Sequence, residues 1–305
     1  MIRSRLIFML ILSVTLAAPA GSSAQDDPLR IVASTSILAD VAANVAGDTA
    51  VVETLFSRGT NPHTAEPSAQ DVARLSDADL VLVVGTNYEE GLLPVLEESA
   101  GDRLISASLC VPIRPVPEGV IHEQEDANPT GAESTHHENT MGAVCEAHSA
   151  EVLAAFSLEE LASGDVLGPL YTLDCGGIHE HHEGEEDVHE AGSCDPHVWA
   201  DPVNVALWTL SIRDTLSEYD PDNAAVYAAN AERYLGELAA LNSEIAEQMG
   251  EIEPWRNVIL TNHQTLNYFA ARYGLKMVGV VLPGGSTTAE PSAQDMLALM
   301  DLIDR

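Results

Sequence analysis

Two kinds of apolar run alternate along the chain. Residues 30–34 (Arg-Ile-Val-Ala-Ser) and 79–85 (Asp-Leu-Val-Leu-Val-Val-Gly) are short apolar stretches, the pattern of strands in a parallel sheet covered on both faces. Residues 50–56 and 103–106 read as two further strands. Between them, residues 37–45 form an amphipathic helix stopped by Gly47, Ser68 is placed to cap a helix running through Leu75, and residues 91–99 are helical. Strand and helix alternate at short spacing, which predicts an α/β lobe with a parallel sheet. Farther on, residues 202–218 read as a helix with Pro202 in its first turn, and residues 223–250 continue without a breaker. There Tyr227, Tyr234, Leu238, Leu241, Ile245 and Met249 recur at helical spacing, so one face packs and the other is wet. At 1.5 Å per residue this helix spans roughly 40 Å, enough to connect two lobes. A strand at 257–261, a helix at 265–273 stopped by Gly274 and a strand at 275–282 then begin the order again. The phrase Ala-Glu-Pro-Ser-Ala-Gln-Asp occurs at 65–71 and again at 289–295, each time opening an apparent helix, as two related lobes would.

The expected architecture is therefore α/β, with two parallel-sheet lobes bridged by a long helix. Residues 25–220 form the first lobe, 221–252 the connecting helix and 253–305 an incomplete second lobe, because only one helix follows the strand at 275–282 before Arg305. The start of the chain changes the picture in one respect. Met1-Ile2-Arg3-Ser4-Arg5, an apolar run over 6–18 and the small residues Ser22-Ser23-Ala24 make residues 1–24 a cleavable signal peptide, so an exported, periplasmic protein is expected. The run is short for a membrane span. The first cysteine is Cys110, too distant to carry a lipid at the amino terminus.

Charge removes one class of partner. A formal net charge of −35 offers no basic face for a phosphate backbone, so no nucleic-acid partner is expected; a cation is. The acidity concentrates in an insertion at 118–194. From Glu118 to Asp195 there are 19 Asp and Glu, no Lys or Arg, and eight of the chain's eleven histidines. Such a segment cannot offset the entropy of ordering. Most of it is expected to be mobile, apart from a short helix over 151–170. His179, His181, His182 and His189, with a second cluster at His122, His136, His137 and His148, read as weak ligands for divalent cations. Cys110, Cys145, Cys175 and Cys194 are an even set in an exported chain, where disulfides persist. The expected pairs are Cys110 with Cys194, closing the base of the insertion, and Cys145 with Cys175 inside it.

Three histidines outside the insertion share a setting, each between a strand-like and a helix-like run. They are His63 in Asn61-Pro62-His63-Thr64-Ala65-Glu66-Pro67, His197 in Asp195-Pro196-His197-Val198-Trp199-Ala200-Asp201-Pro202, and His263 in Asn262-His263-Gln264. Loops at the carboxyl ends of parallel strands are where ligands bind, so the three are candidates for one metal site.

These phrases, with Tyr268-Phe269 and Tyr273-Gly274-Leu275, resemble in order the signature segments of the zinc- and manganese-binding solute receptors of ABC transporters. The resemblance implies metal held in the cleft between the lobes, with His63 and His197 as ligands from the first lobe and His263 as the first ligand of the second. It also implies a membrane permease as partner and transported metal, not a catalytic cofactor. Manganese receptors of the family usually carry a carboxylate where His263 stands, and three imidazoles favour Zn²⁺ over harder cations. Mn²⁺ is the alternative cargo. The family's further acidic ligand, late in the second lobe, would lie beyond Arg305. A monomeric receptor that is not an enzyme is expected. A metal-storing or adhesion protein is the rival reading. A zinc hydrolase is the weakest, since no H-E-x-x-H phrase is present and Glu66 reads as a capping or supporting group.

Overall fold

The computed structural model describes residues 28–60, 65–86, 88–114, 140–161, 194–281 and 293–303. Four parallel strands, β1 (Leu29–Ala33), β2 (Ala50–Thr54), β3 (Leu80–Val83) and β4 (Leu104–Ser106), lie in the order β2-β1-β3-β4. Ile31 stands opposite Val52 on one side and Leu80 on the other. Successive side chains of a strand point to opposite faces, and both faces here are buried. Ile31, Ala33, Leu80 and Leu82 pack with helices α1 (Ser36–Ala46), α5 (Pro202–Tyr219) and α6 (Ala224–Gly250). Val32, Val81 and Val83 pack with α2 (Ala69–Asp77) and α3 (Leu93–Ala100). A sheet covered on both sides explains the unbroken apolar runs.

Local chemistry sets the helix ends. Thr35 accepts from the Leu38 amide at the start of α1. Ser68 and Asp71 form a reciprocal capping box at α2, so the cap is theirs and not that of exposed Glu66. A second, two-stranded parallel sheet pairs β5 (Val258–Thr261) with β6 (Lys276–Val280) around α7 (Asn267–Tyr273), which Gly274 ends at φ 72°. Helix α8 (Ala293–Ile303) follows. Among the described residues no helix is long and apolar enough to cross a membrane.

The insertion departs from expectation. Its helix is α4 (Thr140–Phe156), earlier than the predicted 151–170, and it docks on the fold. Cys145, His148, Val152 and Phe156 are all buried. His148 is therefore not a loop ligand: its Nε2 lies 2.6 Å from an Asp214 carboxylate oxygen on α5, and its Nδ1 is buried with no hydrogen-bond partner among the described residues. Burial works to raise the Asp214 carboxyl, but hydrogen bonds from His148 and Arg213 bring it down to about 2. The cysteine pairing is also corrected. Cys145 is bonded to Cys110, Cα–Cα 5.1 Å, because α4 folds back against α5 and the turn Ala107–Cys110. Cys194 is disulfide-bonded as well, and Cys175 lies outside the described residues.

The carboxyl ends of β1 and β3 hold a buried carboxylate. Glu89 is 5% exposed; it accepts from Ser34 Oγ at 2.5 Å, the Val84 amide at 2.7 Å and the Gly85 amide at 3.0 Å. Gly85 sits at φ +81°, and a Cβ there would meet Ser106 Oγ at 2.2 Å, so the turn excludes other residues. Burial, only partly offset by these bonds, pushes Glu89 up from 4.5 to about 6. The folded state thus holds this proton more tightly than the unfolded chain, so stability from this group falls as pH rises from 4.5 through 6, by about 2 kcal/mol. In urea unfolding from pH 4 to 8, wild type is expected to lose that amount relative to Glu89→Gln. A pH-independent difference between the two would show that Glu89 does not titrate this way.

Candidate metal centre

His197 is placed by its own loop. Pro196 fixes its φ, and Asp195 Oδ1 accepts from the His197 amide two residues on, at 2.9 Å, an Asx turn. The same oxygen lies 2.8 Å from His197 Nδ1. Both side chains are buried. A 3₁₀ turn, Val198–Ala200, leads from His197 into α5, whose first turn is capped by Asp201.

Asp195 is in turn held from across the molecule. Its Oδ2 accepts from Asn267 Nδ2 at 2.8 Å, and its carbonyl accepts from the Tyr268 hydroxyl at 2.9 Å. That hydroxyl accepts from the Arg114 amide at 3.0 Å. Burial drives the Tyr268 phenol well above its ordinary range, and the nearby Asp195 carboxylate adds to this. Arg272, also on α7, pairs with buried Asp201 at 2.8 Å and donates to the Leu161 carbonyl. Helix α7 is thereby pinned to both ends of the turn that carries His197.

His263 comes from the loop after β5. Asn262 Oδ1 accepts from the His263 amide at 2.9 Å and lies 3.3 Å from His263 Nδ1. Thr261 Oγ1 donates to the His263 carbonyl at 2.7 Å. The rings of His197 and His263 meet with centroids 5.3 Å apart and planes at 67°. In each, Nδ1 faces a side-chain oxygen of its own loop, which leaves ligation to Nε2.

Aromatic rings back this pair. Trp199 lies 5.4 Å and Tyr88 6.4 Å from the His197 ring, and Tyr88 meets Trp199 edge-on at 5.0 Å. Sequence reasoning did not single out Tyr88 or Asn267. His63, His179, His181, His182 and His189 lie outside the described residues, among which no group of three or more His, Cys, Asp or Glu gathers as a metal-holding cluster.

A family model described as "Zinc-uptake complex component A periplasmic" matches residues 31–305. Zinc-binding lipoprotein AdcA of Streptococcus pneumoniae is 29% identical over 95% of this chain, which spans 46% of that relative. Manganese-binding lipoprotein MntA of Halalkalibacterium halodurans is 27% identical over 87% of this chain and 64% of its own length. The chain thus spans less than two thirds of either relative. The crystal structure of the Zn(II)-bound ZnuA-like domain of Streptococcus pneumoniae AdcA superposes with a TM-score of 0.55 at 26% identity, over 91% of this chain and 75% of that one.

Proposed function

Since the chain belongs to the family of periplasmic zinc-uptake A components, we propose that it captures Zn²⁺ in the periplasm and delivers it to the permease of an ABC importer. The supporting observation is the ring-to-ring approach of His197 and His263 from loops far apart in sequence, each with Nδ1 engaged by its own loop. His63 completes the set in this reading. Three imidazoles suit zinc, which takes nitrogen donors in tetrahedral sites. The chain acts as a receptor and not as an enzyme, and its export signal occupies residues 1–24. The first lobe is 25–220, the connecting helix 221–252 and the second lobe 253–305.

A manganese receptor is the second reading, favoured by the manganese-binding relative. Calorimetric titration of the purified chain with each metal decides between them. One tight zinc site with much weaker manganese binding is expected. Equal or tighter manganese binding would replace the zinc assignment.

The Asp195 carboxylate fixes the tautomer and basicity of His197 in this scheme, as carboxylates behind metal-bound imidazoles do. Asp195→Asn is expected to weaken zinc binding about 10–100-fold with little change in fold. Unchanged affinity would remove Asp195 from the site. For the insertion, His179, His181, His182 and His189 act as a low-affinity zinc collector. Deleting residues 163–190 should lower the number of weak secondary zinc sites and leave the tight site, and an unchanged number of weak sites would refute that role.

A further inference from the structure

The two imidazoles that meet at 5.3 Å are joined by a short path through the fold. His197 Nδ1 lies 2.8 Å from Asp195 Oδ1, and the other oxygen of that carboxylate accepts from Asn267 Nδ2 at 2.8 Å. Asn267 opens α7, four residues after His263. The backbone between them is itself tied, the Thr265 amide donating to the His263 carbonyl at 2.9 Å and the Ala270 amide to the Leu266 carbonyl at 2.8 Å. An ionised carboxylate only accepts, so it is the nitrogen of the Asn267 amide that faces Asp195. Asp195 is 0% and Asn267 7% exposed, so bulk water does not stand in for that donor. The backbone of Asp195 is fixed as well: its amide donates to the Arg114 carbonyl at 2.7 Å and its carbonyl accepts from the Tyr268 hydroxyl. What remains for Asn267 to decide is the direction of the carboxylate.

We propose that Asn267 is a positioning residue of the metal centre. By holding Asp195 it sets the direction of the His197 ring, and from the head of α7 it sets the separation of that ring from His263. The inference rests on the zinc-capture reading above and adds to it a residue that touches neither the ion nor an imidazole. Ligands already oriented bind without the full cost of ordering them, so the effect is on affinity.

The test is a double-variant cycle on the purified full chain, with zinc affinity read by competition against a fluorescent chelator. Asn267→Leu removes the donor and keeps most of the volume. Zinc affinity is expected to fall about tenfold, the lower end of the range for an outer partner of a ligand, because Asn267 acts one bond farther out. In an Asp195→Ala background the same substitution should change affinity by less than about twofold, since no carboxylate is left to hold. Cobalt(II) in place of zinc reports ligand geometry, and its visible absorption bands should shift in Asn267→Leu. Asn267→Ala, a better helix former, carries the same expectations if the leucine variant does not fold. Tyr227→Phe controls for stability alone: that hydroxyl accepts from Thr49 at 3.1 Å and donates to Asp220 at 2.6 Å, outside both histidine loops, so its loss should leave zinc affinity and the cobalt bands as in wild type. An equal loss of affinity with and without Asp195 would overturn the proposal, as would unchanged affinity or a cobalt shift matched by Tyr227→Phe. A wild-type chain that binds no zinc would overturn the capture reading itself.

Discussion

Replacing His197 with Ala is expected to lower zinc affinity more than about 100-fold, beyond the range seen when only an outer partner of a ligand is removed. Its backbone should survive. The Asp195 carboxylate would still accept from the residue 197 amide and from Asn267, and the Asp195 carbonyl from Tyr268. The ring lost is buried against Trp199 and Tyr88, so the apo protein should lose some packing and keep its cooperative unfolding. Competition against a fluorescent zinc chelator gives the affinity, and circular dichroism melting of the metal-free protein controls for folding. Zinc affinity within a few-fold of wild type, with the fold intact, would show that the metal sits elsewhere.

What could be read from sequence follows from where each interaction is made. Strands β1 and β3 were legible because a strand buried on both faces must be apolar at every position, as Ile31, Val32, Ala33 and Leu80 to Val83 are. Capping at Ser68 and stops at Gly47 and Gly274 were legible because they are set by a few adjacent residues. Helix α6 was found, but its buried stripe is Tyr227, Ala231, Leu235, Leu238 and Asn242. Leu241, which the periodicity places on the packed face, is 45% exposed. Asn242 is buried because Tyr273 donates to it at 3.0 Å, a partner on α7 that periodicity does not see. Tyr88 was missed for the same reason: a lone aromatic in a loop acquires meaning only when the fold brings it to Trp199 and His197.

The acidic insertion hid a signal that was present. Cys145, His148, Val152 and Phe156 stand at intervals of three and four and form the buried stripe of α4. The acidic residues on either side of that stripe dominate the composition of 118–194, and His148 shares its residue type with the histidines of the loop. His148, buried on α4 with its Nε2 against Asp214, is a packing residue.

The same helix carries the largest stability effect. In a Cys110→Ala, Cys145→Ala double variant the unfolded chain regains the freedom of a loop with a sequence separation of 35 residues, worth about 4 kcal/mol in the chain-entropy treatment, within the range of about 2–5 kcal/mol for native bonds. Alanine fits, since both cysteines are buried and leave no polar atom to satisfy. Helix α4 should remain docked through His148 with Asp214 and through Arg213, which pairs with Glu151 at 2.9 Å. Trp208 Nε1 would still donate to Ser108 at 2.9 Å and hold the turn that carries residue 110. The variant should therefore unfold at markedly lower urea concentration yet bind zinc as wild type does, because Asp195 and His197 are anchored by α7 and not by α4. If zinc affinity fell together with stability, the disulfide would be supporting the metal loop itself. An unchanged urea midpoint would mean that ion pairing and packing already confine α4 in the unfolded ensemble.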